Sequence, residues 1–206
     1  NSDQIMELKK IPKSLTVVGS GYIAIEFAFI FASLGSKVNL ICRKNILRGF
    51  DKDLIDLVKE SLISKGVNVY LNEEVRKVSL KKKLKEISLK NSNIKLNSNE
   101  ILVAIGREPN ISRLNLEELG IKLTKTKAIK VNKNLMTNIK NIFAVGDVTD
   151  RMNLTPVAIA EGQFLSEKLF GKSKVKNIDL SHVGTAVFSS PPISSIGPTE
   201  KEAKKK

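Results

Sequence analysis

The residues best equipped for chemistry form a short stretch, Gly19-Ser20-Gly21-Tyr22-Ile23-Ala24. The pattern is G-x-G-x-x-A, set between an apolar run and a helical one. Gly19 permits a tight turn, and Gly21 leaves room for a pyrophosphate to approach the backbone. The small Ala24 lets helix and strand pack closely. A helix opening here offers free N–H groups and a positive dipole end to phosphates. The next apolar run ends in Cys42-Arg43-Lys44, followed by Arg48, with no acid before Asp51. An acid at that place would take the ribose 2′-hydroxyl of NAD, whereas a cation takes the 2′-phosphate of NADP. A guanidinium grips phosphate bidentately, so Arg43 and Arg48 are expected to form a clamp, with Lys44 assisting. The competing reading is that they are solvated loop charges in a basic protein.

Thiol and imidazole chemistry is scarce. Cys42 is the single cysteine and His182 the single histidine. That excludes an internal disulfide framework, intrachain dithiol exchange and a Cys/His zinc site, and no metal site is expected. The chain has 206 residues, 41% hydrophobic and 27% charged, an ordinary globular composition. No apolar run is long enough to span a membrane, and no membrane partner is expected. Thirty-five Lys+Arg against twenty-one Asp+Glu give a net charge of +14. The lysines are scattered, aromatics are 5% and tryptophan is absent, so a base-stacking surface is poorly supplied and no nucleic-acid partner is expected. The densest run, Lys81-Lys82-Lys83 with Lys85, reads as a solvated hairpin turn.

These residues need a scaffold. Leu15–Val18 reads as a buried strand ending at Gly19, and Tyr22–Leu34 as a buried helix stopped by Gly35. Lys37–Ile41 is a second strand. Asp51 opens a helix with Leu54, Ile55, Leu57, Val58 and Leu62 at helical spacing, closed by Gly66. Val67–Leu71 is a third strand. Strand, helix, strand, helix, strand is a doubly wound α/β half-unit. Over Glu74–Leu96 the period shortens, which predicts antiparallel strands with Lys and Asn turns. Ile101–Ile105 and Ile142–Val145 read as further buried strands, stopped by Gly106 and by Gly146-Asp147. Thr155, as cap, and Pro156 open a helix to about Phe170. Thr185–Phe188 is a strand broken by Pro191-Pro192, and a helical turn falls over Thr199–Lys206.

Several blocks carry a wider likeness: Gly19–Ala28, Ile46–Asp51, Ala104–Asn110, Ile142–Arg151, Asn153–Ile159 and Val187–Ile193. With them the chain resembles the central part of the glutathione reductase group, within the class I flavin-dependent pyridine nucleotide–disulfide oxidoreductases. The resemblance implies a Rossmann-like NADPH-binding domain with an antiparallel β-meander over 1–108. It implies the C-terminal segment of a second, FAD-binding Rossmann-like domain over 109–180, and the start of an α+β dimerisation domain over 181–206. The chain is expected to be a fragment, and the isolated fragment inactive.

The implied activity of the whole enzyme is reduction of glutathione disulfide by NADPH, through FAD and a redox dithiol, for redox homeostasis. The dithiol and the catalytic histidine would lie outside this chain. The whole enzyme would be a cytoplasmic homodimer. Reduction of another disulfide or of a metal ion, or a non-catalytic NADP(H)-binding module, are the alternatives. By resemblance Gly19, Gly21, Tyr22, Ile23, Glu26, Arg43, Lys44, Arg48, Gly106 and Arg107 line the NADP site. Tyr22 would gate the nicotinamide pocket, and Glu26 would sit near the carboxamide. Gly146, Asp147, Leu154 and Thr155 would serve FAD. Asp147 would bond the ribityl chain, and Leu154 and Thr155 would bring a helix N-terminus to the pyrimidine edge, where reduced flavin gathers negative charge. Ser190, Ser194 and Pro198 depart from the group's usual residues at the start of the dimerisation segment.

Overall fold

The computed structural model describes residues 1–171 and 178–205. Positions 172–177 of the expected 109–180 segment, and the last residue of the expected 181–206 segment, lie outside them. The chain packs as two compact units. One comprises Asn1–Gly106 with Ala186–Lys206, the other Arg107–Thr185.

The first unit opens with a short helix α1 (Ser2–Met6), closed at its start by a capping box between Asn1 and Gln4. The α/β half-unit follows: β1 (Ser14–Val18), α2 (Tyr22–Ser33), β2 (Lys37–Cys42), α3 (Lys52–Ser64) and β3 (Asn68–Leu71). A meander of β4 (Val75–Lys81), β5 (Leu84–Leu89) and β6 (Lys95–Ser98) comes next, then β7 (Glu100–Val103). The parallel sheet has the order β3-β2-β1-β7, and the meander forms its own antiparallel sheet.

Alternation along the strands sorts the core into two layers. Leu15, Val17, Val38, Leu40 and Leu102 join the cluster with α2 and α3, including Ala24, Ile25, Ala28, Val58 and Leu62. Val18, Ile41, Tyr70 and Ile101 instead meet Ile87, Leu89 and Leu96 of the meander. A sheet covered on both faces needs continuous apolar strands, which is how β1 and β2 read. One polar row crosses it. Thr16 pairs with Asn39 and Asn39 with Asn68, and Thr16 Oγ1 lies 2.6 Å from Ser98 Oγ. A one-residue slip would drive these groups into apolar surroundings, so the row helps to fix the register.

β8 (Thr185–Val187) and β9 (Ile193–Ser195) make a two-stranded sheet, and Val187 and Ile193 belong to the first unit's core. A last helical turn spans Glu200–Ala203. Its N-terminal Glu200 N–H donates to Asp51 Oδ1 at 2.8 Å. Asp51 is the N-cap residue of α3, as its sequence position predicts.

The second unit is built mainly of turns around Leu116, Ile121, Ile129 and Ala144. A 3₁₀ helix, Gly146–Thr149, precedes α4 (Thr155–Phe170). Three expectations need correction. Ile142–Val145 is extended but is not a ladder strand: among the described residues it has one isolated bridge, Met136 to Phe143. The strand expected over Ile101–Ile105 ends at Val103, and Ile105 is 76% exposed. Its partner β1 stops at Val18, so no neighbour remains to pair. Thr155 is the first residue of α4 rather than its cap. Leu154 has the extended backbone of the N-cap, and its carbonyl accepts the Val157 and Ala158 N–H groups.

Candidate functional site

The glycine-rich turn joins β1 to α2. Gly19 has φ +146°, and a Cβ there would lie 2.2 Å from the Ala104 carbonyl oxygen and 3.2 Å from Ala24 Cβ. The turn therefore passes against the end of β7 with no room for a side chain. Gly19 N–H donates to the Ile41 carbonyl at 3.0 Å, and the Cys42 thiol donates to the Gly19 carbonyl at 3.2 Å. Burial of Cys42 pushes its thiol up to about 12. It is an inert residue that secures the turn.

Gly21 differs. It is the N-cap of α2, with φ −81°, no side-chain cap, and no atom within 4 Å of where a Cβ would sit. The helix thus opens on free space with its first N–H groups uncapped. Anions are held at such an end. Tyr22 is 36% exposed on the first turn, Ile23 is half-buried beside it, and Glu26 follows one turn on. The Glu26 carboxylate accepts the Phe188 backbone N–H at 2.9 Å.

The loop after β2 comes back to this turn. Leu47 N–H donates to the Ser20 carbonyl at 2.7 Å, and Ile46 and Leu47 are buried. Leu47 has φ +48°, an uncommon conformation for a non-glycine residue, held here by that bond and by burial. Arg43, Lys44 and Arg48 flank the anchor. All are exposed, and none has an ion pair or hydrogen bond among the described residues. Uncompensated cations beside an open helix N-terminus fit a phosphate-rich nucleotide. Gly106 follows Ala104, the residue that abuts Gly19, by two positions; its own Cβ position is also open.

The remaining expected site residues lie in the second unit. Arg107 Nη2 pairs with Asp147 Oδ2 at 2.7 Å, both about half-exposed. Gly146 has φ +69°, and its N–H donates to Glu161 Oε2 at 2.7 Å. Glu161 is 1% exposed and also pairs with Arg151. Thr149 Oγ1 donates to the Gly146 carbonyl at 2.8 Å. Leu154 and Thr155 start α4, which has no side-chain cap. Beside that start, Asn153 Oδ1 is buried without a hydrogen-bond partner among the described residues. An uncapped helix end with an orphaned acceptor suits a polar, hydrogen-bonding cofactor edge such as the flavin pyrimidine.

Sequence reasoning missed Glu161, whose role as a clamp on Gly146 is fixed by a contact fifteen residues away. A lone acid in an otherwise small and apolar helix stretch, with Arg151 upstream, was its only signal. It also missed the bond between Leu47 and Ser20, which pure loop sequence does not announce.

Comparison with known proteins agrees with this geometry. Trypanothione reductase of Trypanosoma congolense is 40% identical over 209 residues, covering 100% of this chain and 42% of that protein. Glutathione reductase of Nostoc sp. is 38% identical over 217 residues, covering 100% of this chain and 47% of the relative. The copper(II) complex of the HOCl-induced flavoprotein disulfide reductase RclA from Escherichia coli superposes with a TM-score of 0.92 at 32% identity, covering 100% of this chain and 47% of that one. The chain thus spans less than half the length of these relatives. Residues 1–162, which hold the glycine turn, the basic loop and the Gly146–Thr155 region, match the family described as Pyridine nucleotide-disulphide oxidoreductase. A βαβ nucleotide fold with this turn, matched over that span, places the chain in the pyridine nucleotide-disulphide oxidoreductase family.

Proposed function

We propose that the chain is the NADPH-binding part, with one side of the FAD site, of a reductase that acts on glutathione disulfide. Residues 1–108 form the NADPH domain, 109–180 the closing segment of the FAD domain, and 181–206 the start of a dimerisation domain. The complete protein is a cytoplasmic homodimer. When bound, NADPH and FAD supply hydride transfer and its relay to a redox dithiol. The chain's own residues hold and orient them.

Gly21 and the first N–H groups of α2 receive the pyrophosphate, and Gly19 and Ala24 keep that end close to the sheet. Arg43 and Arg48, with Lys44, take the 2′-phosphate by charge-assisted bonds. Tyr22 and Ile23 cover the nicotinamide pocket, and Glu26 orients the carboxamide. Gly106 completes the wall. Asp147 accepts from the ribityl chain, positioned by the Gly146 turn that Glu161 holds. Leu154 and Thr155 direct α4's positive end at the pyrimidine edge.

The observation that carries this reading is the open N-terminus of α2 beside a loop of unpaired cations. The test is NADPH oxidation by the complete protein with glutathione disulfide. Steady turnover supports the reading, and no turnover with any disulfide contradicts it. Because a trypanothione reductase stands among the similar proteins beside glutathione reductases, trypanothione disulfide is the second substrate reading. Turnover with trypanothione disulfide at a higher kcat/KM than with glutathione disulfide would select that one.

A further inference from the structure

The solvent face of the meander carries a groove of about 460 Å³, lined among others by Arg76, Lys77, Ser88, Ser92, Asn93 and Lys95. Strand register assembles it. Lys77 is opposite Ser88, and Ser88 is opposite Lys95. Directly opposed residues share a face, so one row across three strands reads Lys, Ser, Lys. Adjacent strands are about 4.8 Å apart, which puts the two lysine backbones about 10 Å from each other with a hydroxyl between.

Arg76 precedes Lys77 in the same strand, and a regular strand would send the two to opposite faces. The register shifts between Val75 and Lys77, a bulge, and both line the groove. Three other lysines of this region find acids: Lys81 pairs with Glu86, Lys85 with Glu100 and Lys90 with Glu74, while Lys82 and Lys83 at the hairpin turn have no ion pair among the described residues. The side chains of Arg76, Lys77 and Lys95 have no ion pair or hydrogen bond among the described residues. No carboxylate lines the groove, while hydroxyl and amide groups do.

We propose that this groove is a binding site for a small anion bearing two or more phosphates, separate from the coenzyme turn. Three uncompensated cations set the charge sign, and the lining between them mixes Ser88, Ser92 and Asn93 with the apolar Leu89 and Ile94. The volume falls in the range of small-molecule sites rather than that of a duplex-sized channel. Three cations match the charge of two phosphates better than that of one, and Arg76 supplies the planar fork that phosphate oxygens prefer.

The experiment titrates inorganic tripolyphosphate into the chain and follows backbone amide shifts by NMR. Saturable shifts of Ser88, Ser92, Asn93 and Lys95 are expected, weakening as salt rises. In Lys77→Ala with Lys95→Ala the affinity at this group should fall at least tenfold. Arg43→Ala with Arg48→Ala should leave it within twofold, which separates the groove from any phosphate held near α2. Lys82→Ala with Lys83→Ala, at the exposed hairpin turn, should also leave it within twofold. An equal loss in that variant would reduce the groove to general surface charge and overturn the proposal. So would shifts confined to Gly19–Glu26 and 43–48, or no saturable shift. A single-stranded oligonucleotide binding the same residues more than tenfold tighter than tripolyphosphate would overturn it in favour of nucleic acid. If the groove double variant fails to fold, the wild-type shift map and the Lys95→Gln variant decide the matter on the same criteria.

Discussion

Cys42 ends β2 with its thiol donating to the Gly19 carbonyl, in a site that raises its pKa to about 12. The ordinary thiol value is near 8.5 to 9. A folded pKa above the unfolded one contributes stability in full below about pH 9, and that contribution drains away as pH rises toward 12. Over that window the unfolded chain loses its proton first, at a cost of about 1.4 kcal/mol per pH unit. Urea midpoints of wild type minus Cys42→Ala should therefore fall from pH 9 to 11. A pH-independent difference would contradict burial of the thiol. Glu161 is a buried acid with two partners. It holds the Gly146 N–H and Arg151 at once. Glu161→Gln keeps an acceptor and should cost about 1–2 kcal/mol, whereas Glu161→Ala leaves both donors unmatched and should cost about 3 kcal/mol. Denaturant unfolding reads the difference; equal losses would mean that the side chain only fills space.

Two glycines two residues apart in the βαβ element serve different ends, and substitution separates them. Gly19→Ala sets a Cβ 2.2 Å from backbone oxygen at φ +146°. Backbone strain and overpacking together should cost about 2–4 kcal/mol. Gly21→Ala meets nothing within 4 Å and keeps an allowed φ. It should change stability by about 0.5 kcal/mol or less but weaken coenzyme binding at least tenfold, because its methyl group enters the space a phosphate would use. Thermal unfolding beside coenzyme titration checks both; a stable Gly19→Ala or a tight-binding Gly21→Ala would refute the assignment. The pattern of this element was legible because each piece is local: an apolar run, two glycines, an apolar helix, a glycine stop. What escaped depended on distant partners. Ile142–Val145 has the composition of a buried strand, yet a ladder requires neighbours, and Phe143 has one bridge. Thr155 looks like a cap by residue type, but Leu154 takes the capping dihedrals. The five-residue α1 is too short for any periodicity, and only Asn1 and Gln4 hint at it. The cations after β2 could be read as a cluster, but not the Leu47–Ser20 bond that ties their loop to the turn.

At the scale of the molecule, the first unit brings the open α2 end and the basic loop together, and the net charge of +14 adds a favourable field for a polyanionic coenzyme. The field does not distinguish NADPH from a smaller anion; the placed cations do. A 2′-phosphate carries about −1.5 to −2 charge near neutral pH by analogy with other phosphate monoesters. Arg43 and Arg48 can each give it charge-assisted bonds worth about 1.5–3 kcal/mol. NADH brings no such group and leaves the cations unpaired. The most direct test is a titration of NADPH and NADH into wild type and into Arg43→Ala with Arg48→Ala, at low and high salt. NADPH should bind wild type at least about tenfold tighter, the factor for 1.4 kcal/mol, with the preference shrinking as salt rises. The double variant should lose NADPH affinity strongly and NADH affinity little. Equal affinities in wild type, or equal losses in the variant, would contradict the account and leave these arginines as solvated loop charges.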